Sequence, residues 1–224
     1  MKERLLKYLE TFITPRRLEL ITRVLDNRTK YITVVLEDIY QPHNASAVLR
    51  TCDCFGIQDV HIIENRNKYT VNPDVALGSD KWLNIYKYRN FKNNSLHAIQ
   101  VLKEKGYKIV ATSLQVESKS IEDYDITKNK IALFFGTELT GLSDSVLNNA
   151  DEFIKIPMFG FTQSFNLSVS AAIILYGFIK DLRLSSVDWK LSENDKTELK
   201  IKWIKQGLKM GNRIEDYFNS EYQK

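Results

Sequence analysis

Apolar residues fall along the chain in short dense runs separated by amphipathic stretches. Residues 31–36 (YITVVL), 60–64 (VHIIE), 108–114 (KIVATSL), 131–135 (IALFF) and 153–158 are rich in β-branched and aromatic side chains. Runs this short predict buried strands rather than helices. Residues 82–88 predict a further strand or strand edge. Between these runs the period changes. Residues 45–55 carry Ala47, Val48 and Leu49 on one side and end at Gly56, and residues 94–105 form an amphipathic helix ending at Gly106. Ser143 is placed to cap a helix through Asn149, while residues 37–44 and 65–81 read as loops. Strands alternating with helices at this spacing predict an α/β fold with a mainly parallel sheet flanked by helices.

The most informative stretch is residues 151–182, DEFIKIPMFGFTQSFNLSVSAAIILYGFIKDL. A strand closed by Pro157 gives way to a polar loop holding Gly160, Gln163, Ser164 and Asn166, and then to a helix. That helix carries small residues (Ser168, Ser170, Ala171, Ala172) before large apolar ones (Ile173, Ile174, Leu175, Phe178). Polar groups at the mouth of such a unit suit a ligand, and they equally suit an ordinary capped corner.

The two ends differ from the middle. Residues 2–11 and a second helix opening at Thr14-Pro15 carry Arg16, Arg17, Arg23 and Arg28. After Ser185 the chain becomes Lys-rich. Ser192 and Asp195 make a capping-box-like start, and Leu199, Trp203 and Leu208 share a face among Lys200, Lys202, Lys205, Lys209 and Arg213. Three segments follow: basic helices over residues 1–30, a central domain over 31–184, and a basic helical extension over 185–224. Either basic end can be a solvated face or a grip on phosphate.

Lys+Arg 32 against Asp+Glu 28 gives a net charge of +4 and a pI near 8.9, which permits nucleic acid without requiring it. Cys52 and Cys54, at i and i+2 of a predicted helix, point apart, which argues against a disulfide or a shared metal. No apolar run reaches the roughly 20 residues of a membrane span, so a cytoplasmic protein is expected. His43, His61 and His97 lack partners at metal-ligand spacing. Neither GxGxxG after the first strand nor GxxxxGK[ST] is present. Ligands of a parallel sheet sit beyond the carboxyl ends of its strands, which directs attention to the loops at Asn44, Thr112, Gly136–Glu138 and 160–166.

Three of those stretches carry a resemblance. Residues 44–51 (NASAVLRT), 135–143 (FGTELTGLS) and 156–170 (IPMFGFTQSFNLSVS) resemble the three motifs of the SpoU family of S-adenosylmethionine-dependent RNA 2′-O-ribose methyltransferases. The likeness extends to GSDKW at 78–82 and ATSL at 111–114, and lies nearest the members that methylate guanosine-18 of tRNA. It implies a SPOUT fold with a C-terminal deep trefoil knot and extra N- and C-terminal helices, which no periodicity would predict. By motif position it implies Asn44, Arg50, Glu138, Ser164 and Asn166 as catalytic residues and Thr112, Gly136, Ile156 and Phe165 as cofactor-lining. Phe165 and Leu167 stand where the family usually has Leu and Val.

It further implies tRNA as partner and a homodimer with no metal. The basic residues Arg16, Arg17, Arg23, Lys81, Lys202, Lys205 and Lys209 are then candidates for RNA contact. Family descriptions give the motif-one arginine a general-base role. A guanidinium that titrates above pH 12 is better suited to clamping phosphate and stabilising a developing alkoxide. Two other readings are an rRNA methyltransferase of the same family, disfavoured by the short segment before the first strand, and a non-catalytic RNA-binding protein, disfavoured by the intact motif residues.

Overall fold

The computed structural model describes residues 1–114 and 118–222. The chain divides into two compact units, residues 30–189 and residues 1–29 with 190–224.

The larger unit is a seven-stranded sheet in the order β3-β2-β1-β6-β4-β7-β5. Its strands are β1 (Ile32–Glu37), β2 (Asp59–Ile63), β3 (Asn84–Tyr88), β4 (Lys108–Thr112), β5 (Lys119–Ser120), β6 (Ile131–Phe135) and β7 (Glu152–Lys155). Every pairing is parallel, and β6 lies between β1 and β4. β1, β2 and β6 are buried along their whole length, which is why they read as unbroken apolar runs.

Alternate residues feed opposite faces of the sheet. Val34, Leu36, Leu133 and Phe135 pack with Val48 and Leu49 of α3 (Pro42–Phe55) and with Ile174 and Phe178 of α7 (Leu167–Leu184). Val35 and Phe134 turn the other way, toward Ala98, Ile99 and Leu102 of α5 (Asn94–Glu104) and Val146 of α6 (Asp144–Leu147). The remaining helix of this unit is the short α4 (Pro73–Ala76).

Several boundaries differ from the sequence reading. The helix after β1 starts at Pro42, not Ala45, because proline's fixed φ suits the first helical position, so Asn44 lies in the first turn of α3. Residues 65–81 are not a plain loop: Asn72 caps α4 and a 3₁₀ turn follows at Ser79–Lys81. β7 ends at Lys155, before Pro157, and the two-residue β5 lacked any apolar run to announce it. Ser143 does not cap α6 with its side chain. Its hydroxyl donates to Glu37 Oε1 at 2.7 Å and its amide to Glu37 Oε2 at 2.8 Å, so the carboxylate outcompetes the cap.

The smaller unit packs α1 (Lys2–Glu10) against α8 (Glu193–Gly207) and α9 (Gly211–Tyr222), and α2 (Pro15–Leu25) against α8. Its starts follow the predicted chemistry. Thr14 accepts from Arg17 N ahead of Pro15, and Ser192 accepts from Asp195 N while donating to Asp195 Oδ2. Leu5, Leu9, Ile21, Leu25, Leu199, Trp203, Ile204 and Phe218 are buried. Leu208 departs from the expected face, since α8 ends at Gly207 and Leu208 is its cap. Arg28 departs from the expected basic surface. It is only 2% exposed, its guanidinium 5.3 Å from the Trp203 ring centroid.

Candidate functional site

Three loops leaving the carboxyl edge of the sheet meet at one carboxylate. The loop after β6 turns tightly, with Thr137 and Gly141 exchanging two backbone hydrogen bonds of 3.0 Å and Gly141 at φ 68°. A Cβ on Gly136 would lie 2.2 Å from the Gly141 carbonyl carbon, so only glycine allows this closure. The turn projects Glu138. Its Oε1 accepts from Asn44 Nδ2 at 3.0 Å, from Asn166 Nδ2 at 2.8 Å and from the Leu167 amide at 3.3 Å.

Asn166 is also the N-cap of α7. Its Oδ1 accepts from the Ser168 amide at 2.9 Å, and its Nδ2 reaches Asn44 Oδ1 at 3.1 Å. Asn44, 4% exposed, completes the set through a bond to Gln41 Oε1 at 3.0 Å. One residue from each of the three motifs therefore closes a single hydrogen-bonded ring. The arrangement fixes the N-terminal end of α7 against that of α3 and the loop after β6.

Beside the ring lies a cavity of about 530 Å³, within the range of cofactor sites. Thr112, Gly136, Ile156 and Phe165 all line it, together with Glu138 and Ser164. Thr112 donates its hydroxyl to the Phe134 carbonyl at 2.9 Å, so it shapes the wall more than it offers a donor. Apolar Phe135, Leu142, Ile154 and Ile174 and polar Thr137, Gln163 and Ser164 share the lining of the cavity.

Arg50 stands apart from this group. It lies on α3, six residues after Asn44 and so on another face of the helix, and it is exposed. Its side chain makes no hydrogen bond or ion pair among the described residues, and it does not line the cavity. Of the candidate RNA contacts, Arg16, Arg23, Lys81 and Lys209 are exposed, whereas Arg17, Lys202 and Lys205 are half-buried. Lys205 is paired with Glu215, and its neighbours Lys196 and Lys200 reach Asp26 at 3.0 Å and Glu10 at 2.9 Å.

Sequence reasoning missed Glu37. This carboxylate is 2% exposed and also accepts from Ser95, so it ties α5 and the Gly136–Ser143 loop to the end of β1. A charged residue closing an apolar strand was its signal. Tyr40 and Gln41 were also passed over as loop residues. They line a second cavity of about 260 Å³ with Asn44 and Glu138. Among the described residues no group of three His, Cys, Asp or Glu side chains could hold a metal ion. No described helix is long and apolar enough to cross a membrane.

Residues 31–176 match the model of the SpoU rRNA Methylase family. The chain is 51% identical over 212 residues to the tRNA (guanosine(18)-2′-O)-methyltransferase of Borreliella burgdorferi, covering 95% of each chain. It is 38% identical over 163 residues to the enzyme of that name from Thermus thermophilus, covering 73% of this chain and 81% of the relative. The crystal structure of the Aquifex aeolicus TrmH/SpoU tRNA modifying enzyme superposes with a TM-score of 0.77 at 32% identity, over 86% of this chain and 97% of that one. With its motif residues converging on Glu138 and its fold shared along most of the chain, this protein belongs to the SpoU methylase family.

Proposed function

We propose that the protein transfers a methyl group from S-adenosylmethionine to a tRNA ribose 2′-hydroxyl, that of guanosine-18 in the D-loop. The observation that carries the reading is the Asn44–Glu138–Asn166 ring set beside a cavity that Thr112, Gly136, Ile156 and Phe165 line. The relatives' names favour tRNA over rRNA, at identities up to 51% over almost the whole chain. The cytoplasm, where tRNA is processed, is the matching compartment.

The cavity suits the cofactor by volume and by chemistry. Its apolar wall fits an adenine face, and Thr137, Gln163 and Ser164 offer hydrogen bonds for a ribose and an amino-acid moiety. When bound there, S-adenosylmethionine supplies an activated methyl carbon. The chain's part is placement: the ring holds the loops so that the ribose oxygen lines up behind that carbon. Ser164 offers a hydroxyl to the substrate side. Arg50 clamps the phosphate beside the target ribose and stabilises the alkoxide as it develops.

Arg50 faces away from its own chain's ring, so its role calls for a second copy. Tyr176 and Val169 of α7 and Phe165, Phe159 and Phe161 before it are all exposed, Phe159 at 97%, more apolar surface than a lone chain hides. In a homodimer built on this face, Arg50 of one protomer completes its partner's site. By the same family resemblance, the C-terminal strand, loop and helix (β7, residues 156–166 and α7) form a deep trefoil knot. We assign residues 31–184 as the methyltransferase domain, with basic helical additions over 1–30 and 185–224.

The test is to incubate the protein with labelled S-adenosylmethionine and unmodified tRNA and map the methylated nucleotide. Transfer to guanosine-18 is expected. Label at a base, or none on tRNA, would overturn the reading. Mixing Arg50→Ala chains with Asn166→Ala chains should restore activity in hybrid dimers, and a fully active monomer would exclude the shared site.

A further inference from the structure

Two further cavities adjoin the loop after β6, whose other side lines the 530 Å³ cavity assigned to the cofactor. The first, of about 260 Å³, has Tyr40 and Gln41 on its wall with Asn44 and Glu138. Tyr40 is 77% exposed, a large ring in water two residues before Pro42, where α3 starts. The second, of about 490 Å³, shares Asn67, Thr137 and Thr140 with the first. It is lined by Arg66 from the loop after β2 and Lys92 from the loop after β3. Sharing those three residues, the two cavities outline a path at the carboxyl edge of the sheet, with the ring residues Asn44 and Glu138 and Tyr40 on the first and the two cations on the second.

The charges along this path sort by availability. Asp38 turns inward in a left-handed conformation, φ 52°, and its Oδ1 accepts from the amides of Asn65, Arg66 and Asn67. Glu37 is buried behind Ser95 and Ser143. Asp144 is the exposed acid on this wall. Against it stand Arg66 and Lys92, with Lys68 and Arg89 on the same two loops, all exposed and without an ion pair among the described residues.

We propose that this groove is the channel for the tRNA strand that carries the target nucleotide. Tyr40 is the platform on which a base next to the reacting ribose stacks, and Arg66 and Lys92 hold backbone phosphates. The inference rests on the tRNA methyltransferase reading and places the grip on RNA in the larger unit, at the site itself. Aromatic platforms flanked by cations are how single-stranded RNA is bound without dependence on duplex geometry. A flat ring at the ring-side end and cations further out match the order of base and phosphate along such a strand.

Binding of unmodified tRNA is measured by anisotropy at several salt concentrations for wild type, Tyr40→Ala, Tyr40→Trp and the Arg66→Ala/Lys92→Ala double variant. Tyr40→Ala should weaken binding roughly five- to 150-fold, the range of one lost base stack, and Tyr40→Trp should restore it. The double variant should lower the slope of log K against log salt by about 1.4, two phosphate contacts at about 0.7 each. All variants should keep wild-type affinity for S-adenosylmethionine, since these side chains do not line its cavity. Wild-type tRNA affinity in Tyr40→Ala together with an unchanged salt slope in the double variant would overturn the channel. Wild-type turnover is scored separately: a protein that binds tRNA through these residues but transfers no methyl group would refute the enzymatic reading and leave the channel standing.

Discussion

Glu138 Oε1 is the shared acceptor of the buried Asn44 amide, the exposed Asn166 amide and a helix N–H, although the residue itself is exposed. Glu138→Ala leaves Asn44 and Asn166 without that acceptor, and should cost about 0.5–1.5 kcal/mol of stability along with most of the activity. Glu138→Gln keeps an acceptor oxygen and should lose far less stability; equal urea midpoints for the two variants would refute the assignment. That three distant motif residues meet here was legible only through family resemblance, because spacing along the chain does not report tertiary contact. Glu37 left only a faint trace, a charge closing an apolar strand. A glutamate at a strand end looks like a solvated residue until Ser95 and Ser143 are seen to close over it. His61, for which the sequence favours a structural role over metal binding, shows how burial controls a titratable group. Desolvation, aided by Lys105, pushes its imidazole down to about 3, with Tyr88 hydroxyl 2.8 Å from Nδ1. Above the ordinary value of 6.5 both folded and unfolded chains are neutral there. As pH falls toward 3 only the unfolded chain takes up the proton, so stability is full above 6.5 and is lost progressively below it. His61→Phe should flatten this loss in urea titrations run across that window, and an unchanged pH slope would acquit the histidine.

Among elements, those with dense apolar runs and clear punctuation were read correctly: β1, β6, α2 with its Thr14-Pro15 start, and α7. The failures were elements whose stability comes from elsewhere. α4 and β5 are four and two residues long, too short to show a period, and are held by caps or by a neighbouring strand. α9 was merged into the Lys-rich tail because Leu208 was read as continuing the apolar face of α8, although Gly207 and Gly211 flank the break. The loop after β6 carries the sharpest test at this scale. Gly136→Ala would place a methyl group 2.2 Å from the Gly141 carbonyl carbon, so the turn must open. Overpacking of this kind costs about 1–3 kcal/mol. The cavity wall moves with the turn, so calorimetry should show S-adenosylmethionine affinity falling with stability. Unaltered affinity would mean that the turn does not shape the cavity.

At the scale of the whole molecule, the two ends of the chain build one helical unit, and its charges are largely answered within it. Lys196, Lys200 and Lys205 each meet an acid, so the number of lysines overstates the free positive surface there. Removing residues 190–224 would uncover Leu5, Leu9, Ile21 and Leu25, and should unfold α1 and α2 as well as discard lysines. Lys209→Ala with Arg16→Ala is the cleaner probe. If these exposed cations touch tRNA, the salt slope of binding should fall by about 1.8 on a duplex region, with the fold intact by circular dichroism. The strand order has a separate consequence, in time instead of space. Ile32 pairs with Ile131 and Leu36 with Phe135, so the central position of the sheet stays empty until the sixth strand has been synthesised. Until then β1 offers an unpaired apolar edge. Parallel pairing between such distant segments folds slowly and is prone to aggregate, so a nascent chain halted before residue 131 is the form of this protein most in need of a chaperone.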